Sequence, residues 1–222
     1  MDKRRQMRIM LMDDKFNVTG AAVYPLRNGT VQNIFYEARR YFKFPHGGSG
    51  VLRLVYVGMT AHSRRVFQIF NNDETVMSIY KKMILPDIYT VRVEEIPQDQ
   101  LVLGPQDHLL PIAHYDKNPH NRMFGVPYYI KVTDGELWKV VCGRIREMLE
   151  VPENEFEKWK FTLLQSSGLI KYLDVNTDEK VRLSDLAIFA SQASHVYLGI
   201  DHVNTLHGSR STHEEKAIVI HN

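Results

Sequence analysis

Cysteine is almost absent from this sequence, and so are long apolar runs and any strong excess of one charge. Cys142 is the only cysteine among 222 residues, so no disulfide can form within the chain, which fits a protein of the nucleus and cytoplasm. No apolar stretch approaches the roughly 20 residues of a membrane-spanning helix, so we expect no membrane partner. The formal net charge is only +2, which argues against nucleic-acid binding.

In other respects the composition of the chain is that of an ordinary globular protein. Hydrophobic residues make up 44% and charged residues 24% of the chain, so it can bury a core of normal size. At roughly 100–200 residues per domain, this length allows one large domain or two small ones. The pattern along the chain favours two, because one order of elements occurs twice.

In the first half, alternating apolar residues predict five strands and two helical segments. The strands are predicted at residues 6–12, 18–24, 51–57, 65–70 and 89–96. Thr30 precedes apolar residues at helical spacing, so a helix is predicted from there to Phe42. Residues 76–83 predict a short helical turn before the last strand.

The second half repeats this order of elements. Strands are predicted at residues 109–115, 126–132, 158–164, 169–173 and 197–200, with a short helical turn at 183–186. We interpret Phe156, Trp159 and Phe161 as part of a strand with one buried face, and an exposed aromatic strip is the alternative. A helix beginning near Glu136 is predicted to bury a stripe of apolar residues, namely Leu137, Val140, Val141, Ile145, Met148 and Leu149.

Strand, strand, helix, strand, strand, short turn, strand is the element order of the β-grasp or ubiquitin-like fold. In this fold the helix packs its apolar stripe on one face of a mixed sheet. The sequence therefore predicts an α+β protein with two tandem ubiquitin-like β-grasp domains, residues 1–97 and 105–206, separated by a segment rich in Gln, Asp, Gly and Pro. An extended C-terminal tail, residues 207–222, follows them.

Five segments carry a resemblance to a known family, and they are residues 91–100, 124–127, 154–161, 198–204 and 215–222. They resemble the last two ubiquitin-like domains and the tail of the herpesvirus-associated ubiquitin-specific proteases, which are thiol-dependent ubiquitin carboxyl-terminal hydrolases. The resemblance implies that this chain is the fourth and fifth ubiquitin-like domains of such a protease. It also implies a non-catalytic regulatory region, whose tail folds back on the catalytic domain and activates ubiquitin isopeptide hydrolysis.

The tail has a pattern of its own that fits such docking. A polar linker at residues 208–212 precedes an apolar cluster, in which Ile218 and Ile220 face the same side of an extended chain. The resemblance implies the catalytic domain of the same protease as partner, with ubiquitin bound there as an indirect partner. The residues predicted to make or flank this contact are Lys216, Ala217, Ile218, Val219, Ile220, His221 and Asn222.

Other interpretations stay open at this point. The tail can instead pack on its own second domain, fray, or form a short helix, since Ser211 and Thr212 each begin a capping-box pattern. The whole chain can instead be a recruitment module that binds substrate or adaptor proteins without affecting catalysis. We predict no catalytic residue, because Cys142 lies within a helix without a paired base. No metal site or cofactor is predicted, because the histidine spacing suits no zinc site.

Overall fold

The computed structural model describes residues 4, 6–60, 63–83, 89–117, 122–165, 168–190 and 196–203. The chain folds into two compact units. Each unit contains one five-stranded sheet, formed by the first five strands in one unit and by the last five in the other.

The first unit contains five strands and two helices. They are β1 (Met7–Met12), β2 (Val18–Val23), α1 (Val31–Ala38), β3 (Leu52–Thr60), β4 (Ser63–Ile69), α2 (Val76–Lys82) and β5 (Tyr89–Glu95). The strands form a mixed sheet with the order β2-β1-β5-β3-β4. In this sheet β1 and β5 run parallel, while β1 pairs antiparallel with β2, and β5 with β3. A 3₁₀ turn at Gln98–Gln100 follows the last strand.

The core of the first unit lies between α1 and one face of this sheet. The helix begins after Thr30, whose backbone N–H donates to the Asn33 side chain at 2.8 Å. Its regular part ends at Ala38, four residues before the predicted end, although the Phe42 N–H still donates to the Ala38 carbonyl and the Phe42 ring stays buried. The residues packed in this core include Ile9, Val31, Ile34, Phe35, Leu54, Val91 and Val93.

The second unit repeats the topology of the first. Its elements are β6 (Asp107–Asp116), β7 (Arg122–Thr133), α3 (Trp138–Met148), α4 (Glu153–Phe156), β8 (Lys160–Gln165), β9 (Gly168–Leu173), α5 (Leu183–Ala190) and β10 (Tyr197–Asp201). The strand order is β7-β6-β10-β8-β9, in which β10 runs parallel to β6 and antiparallel to β8. The repeated order confirms the prediction of tandem β-grasp domains.

The buried face of α3 differs from the predicted one. The helix starts one residue after Leu137, which is its N-cap, and Val140 is 47% exposed. Val141 and Ile145 are buried as predicted, but the buried residues together follow the i, i+3, i+4, i+7 spacing that starts at the large Trp138 side chain. They are Trp138, Val141, Cys142 and Ile145.

Phe156, Trp159 and Phe161 do not lie on one strand, so the prediction of a strand that contains all three was wrong. Residues Glu153–Phe156 form the helical turn α4 after Pro152, and β8 begins only at Lys160. Phe156 and Trp159 are therefore half-buried in a turn, while only Phe161 belongs to the strand and is buried. Proline fixes its own φ near −65° and favours the start of a helix. Pro152 therefore indicates a helical turn here, although the alternating aromatic residues after it suggest a strand.

Candidate functional site

The predicted docking residues of the tail lie outside the residues that the structure describes. They are Lys216, Ala217, Ile218, Val219, Ile220, His221 and Asn222. The last described residues before the tail are the end of β10 at Asp201 and the two residues that follow it, up to Val203.

A cluster of two histidines and two larger rings holds the end of β10. The Nδ1 atom of His114 and the Nε2 atom of His202 are 2.9 Å apart. The His202 ring stacks on Trp159 with centroids 4.8 Å apart, and His114 stacks on Phe124 at 5.5 Å. The His202 backbone N–H also donates to the Tyr115 carbonyl at 3.0 Å. The chain is therefore anchored at His202, five residues before the predicted start of the tail.

An irregularity between β6 and β7 places His114 in this cluster. Ile112 pairs with Tyr128 but His114 pairs with Phe124, so three residues of β7 face one residue of β6. One of the three, Gly125, has φ +70°, and a Cβ atom there would lie 3.1 Å from the His114 ring. Glycine is favoured at this position because a larger residue would be strained in the left-handed backbone conformation and its Cβ atom would crowd the His114 ring.

Both histidines of the cluster are held in the neutral form. Burial lowers the pKa of His114 to about 4, and the neighbouring charge of His202 acts in the same direction. Burial also lowers the pKa of His202, although the charges of Asp116 and Asp201 oppose this change. One neutral ring can then donate to the other, which is the arrangement that a 2.9 Å nitrogen–nitrogen distance requires.

The stability of the second unit is expected to fall as the pH drops below 6.5. The unfolded chain takes up a proton on His114 near its ordinary pKa of 6.5, whereas the folded chain does so only at about 4. Since each pH unit between the two values is worth about 1.4 kcal/mol, up to about 3 kcal/mol is lost by pH 4. Urea unfolding of the full chain at a series of pH values measures this loss.

A His114→Phe variant provides the control for this pH dependence. It keeps a ring beside Phe124 and removes the ionisable group, so its unfolding free energy should change less between pH 7 and pH 4.5. An equally steep pH profile in this variant would contradict the assignment to His114.

A groove of about 810 Å³ lies beside the cluster in the second unit. Trp159, which stacks on His202, also lines the groove together with Phe156, Phe161 and Tyr172. Arg146 forms an ion pair with Glu153 at 3.2 Å. Among the described residues, the lining includes three cations and three carboxylates, namely Lys117, Arg146, Lys160, Glu153, Glu157 and Asp174.

Three of the segments that carry the family resemblance meet in the cluster around His114 and His202. Phe124, Trp159 and His202 belong to residues 124–127, 154–161 and 198–204, which are far apart in the sequence. The sequence pattern did not predict the contact between His114 and His202, because 88 residues separate them. The family segments themselves were the signal that could have found it.

The segment at residues 91–100 has a different role, since it builds a buried ion network in the first unit. Glu94, which is 1% exposed, accepts hydrogen bonds from the Nε atoms of Arg53 and Arg92, both at 2.7 Å. Arg53 also donates to the Gln100 side chain at 2.6 Å. Burial by itself raises the pKa of Glu94, but the charges and hydrogen bonds of both arginines outweigh it and hold the pKa below 4.5. This segment is therefore a structural element.

The described residues contain no constellation suited to catalysis by Cys142. This side chain is 1% exposed within α3, and burial raises the pKa of its thiol to about 12, so the reactive thiolate does not form near neutral pH. In the described part of the chain, no three His, Cys, Asp or Glu side chains form a group that could hold a metal ion. None of the described helices combines the length and the apolar character needed to cross a membrane.

Comparison with known proteins identifies the family. The sequence profile described as "Ubiquitin-specific protease C-terminal" matches residues 1–207. The chain is 35% identical over 210 residues to ubiquitin carboxyl-terminal hydrolase 7 of Caenorhabditis briggsae, which is 91% of this chain and 18% of that protein. The corresponding hydrolase 7 of Drosophila melanogaster is 26% identical over 100% of this chain and 20% of that protein.

A plant relative is similar as well, with ubiquitin C-terminal hydrolase 12 of Arabidopsis thaliana 27% identical over 81% of this chain and 15% of that protein. The chain thus spans a fifth or less of the length of these relatives. The match is to the ubiquitin-like region and not to a catalytic domain, as the sequence predicted. The chain belongs to the ubiquitin-specific protease C-terminal family and is a ubiquitin-like regulatory region of such a protease.

Proposed function

We propose that this region activates the catalytic domain of its own protease through the C-terminal tail. In this proposal Ile218 and Ile220 insert into a groove of the catalytic domain and favour its active arrangement, which raises hydrolysis of ubiquitin isopeptide bonds. Lys216, His221 and Asn222 add polar contacts beside the apolar cluster. The observation that carries the proposal is this apolar cluster behind a polar linker, in a chain of the C-terminal protease family.

The energetics favour docking within one molecule. Burying each isoleucine contributes about 1.5–3 kcal/mol, while ordering the segment costs about 1–2 kcal/mol per residue. The net affinity for a separate partner is therefore weak. A tether raises the effective concentration to the order of 1 mM, and the anchored His202 fixes where that tether starts.

The proposal defines the partners and the place of action. The direct partner is the catalytic domain of the same protease, and ubiquitin bound there is an indirect one. The single cysteine of the chain fits action in the nucleus and cytoplasm. A second candidate function, recruitment of substrate or adaptor proteins, is favoured by the aromatic groove of the second unit.

Removing the tail is expected to lower the activity of the linked catalytic domain. We expect kcat/KM for a ubiquitin–fluorophore substrate to be at least about fivefold higher in a fusion with the full chain than in one lacking residues 211–222. That ratio is at the lower end of couplings between distant sites. Ile218→Asp with Ile220→Asp should reproduce the loss, because a buried carboxylate opposes docking.

The matched control is Val219→Asp, which adds the same charge between the two isoleucines. In an extended segment this side chain faces the opposite side, so most of the activation should remain. Equal kcat/KM values for the full and truncated fusions would overturn the activation proposal and leave recruitment as the function.

A further inference from the structure

We propose that the groove beside Trp159 is a second binding site for the tail, occupied by residues 214–220 of the same chain. The tail would then alternate between this site and the catalytic domain. The regulatory consequence of this binding rests on the proposed function, whereas the binding itself does not.

The first argument is the position of the groove relative to the start of the tail. His202 stacks on Trp159, and Trp159 lines the groove, so the anchored residue after β10 lies next to the groove. The next residue, Val203, is 73% exposed. Lys216 follows 13 residues later, and 13 residues can span at most roughly 45 Å when fully extended. The tail can therefore reach the groove easily, at an effective concentration of the order of 1 mM.

The second argument is the set of aromatic side chains that lie among the charged residues of the groove lining. The groove volume of about 810 Å³ lies within the usual range for ligand sites. Phe156 and Trp159 are half-buried and Tyr172 is 38% exposed, so each ring retains accessible surface. The apolar cluster of the tail, which contains Ile218 and Ile220, supplies side chains that can cover these rings.

The third argument is the distribution of charge. The tail carries Glu214 and Glu215 directly before Lys216 and the apolar cluster. The groove offers cations for the glutamates, among them the exposed Lys160, and carboxylates for the lysine, among them the exposed Glu157. Such surface pairs add little affinity but select orientation and register. A tethered segment with both signs of charge therefore fits this site better than a purely acidic or basic peptide does.

Backbone amide NMR spectra of the full chain and of a chain ending at residue 206 test the binding. We expect the two spectra to differ at residues 153–161 and 172–176 and to agree in the first unit. A peptide of residues 207–222, added to the shortened chain at millimolar concentration, should restore the shifts. In the full chain, the double variant Ile218→Asp with Ile220→Asp should show the groove signals of the shortened chain. Identical groove signals with and without the tail would overturn the proposal.

A charge reversal in the groove with a matched control sharpens this test. Lys160→Glu should weaken peptide binding to the shortened chain about two- to fivefold, the effect of losing a surface ion pair and gaining a repulsion. Lys139→Glu makes the same charge change on α3, where Lys139 pairs with Asp178 at 2.8 Å outside the groove, and should leave peptide binding unchanged. Equal weakening by both substitutions would contradict a specific groove site.

Activity measurements then separate this proposal from the activation proposal. In a fusion with the catalytic domain, Lys160→Glu should raise kcat/KM about two- to fivefold, because a weaker groove site releases more tail. If the NMR shifts occur but tail removal leaves kcat/KM unchanged, the groove site stands and activation fails. If tail removal lowers kcat/KM but no shifts occur, activation stands and the groove site fails.

Discussion

Replacing Glu94 with alanine is expected to lower the free energy of unfolding of the first unit by about 3–5 kcal/mol. Glu94 accepts hydrogen bonds from Arg53 and Arg92, and all three side chains are buried. Without the carboxylate, both buried guanidinium groups lose the negative charge that accepts their Nε–H hydrogen bonds, and removing one partner of a buried ion network is strongly destabilising. Amide hydrogen exchange of β3 and β5 in the full chain measures the effect within this unit.

A triple variant separates the charge effect from a packing effect. Changing Arg53, Arg92 and Glu94 together to leucine removes these three charges and fills the same space with apolar side chains. Because such replacements are often neutral or stabilising, the triple variant should be more stable than Glu94→Ala alone. Equal loss of stability in both variants would show that shape, and not uncompensated charge, determines the result.

Replacing Trp138 with alanine is expected to destabilise the second unit by about 3–5 kcal/mol. Trp138 is 2% exposed at the start of α3 and is among the largest fully buried side chains of the chain. Its removal costs the free energy of burying the ring and leaves a cavity that the sheet fills only in part. Urea unfolding of the full chain, monitored by amide exchange in β6 and β10, measures the loss.

Val140→Ala on the same helix is the matched control. Val140 is 47% exposed, so its truncation should change the free energy of unfolding by about 0.5 kcal/mol or less. The helix stripe predicted from sequence placed Val140 in the core. A loss of about 1 kcal/mol or more in this variant would therefore favour that predicted face of α3 over the one in the structure.

The strands and their order follow largely from local sequence pattern. Alternating apolar residues, such as Met7, Ile9 and Leu11, identify a strand and its buried face without any knowledge of its neighbours. When such strands lie on both sides of an amphipathic helix in the sequence, few topologies bury every apolar face, and the β-grasp is one of them. This is why both sheet orders agree with the predicted fold.

What the sequence did not predict depends on contacts between distant residues. Arg92 and Glu94 alternate with Val91 and Val93, so they have the pattern of a solvent-facing side, and only the folded unit buries them. The groove likewise requires α4, β8 and β9 to come together. The tail was predicted from its composition and from the family resemblance, and its docking on a partner stays a prediction.

The burial of Cys142 has a practical consequence for chemical labelling. With its thiol 1% exposed and its pKa raised to about 12, this sulfur should react very slowly with maleimides or alkylating agents in the native state at neutral pH. A cysteine introduced into the tail would then be the main site of attachment in the isolated region. A fluorophore attached to that cysteine, together with a partner chromophore at the groove, can report the distance between the tail and the groove by energy transfer. The native cysteine need not be removed first.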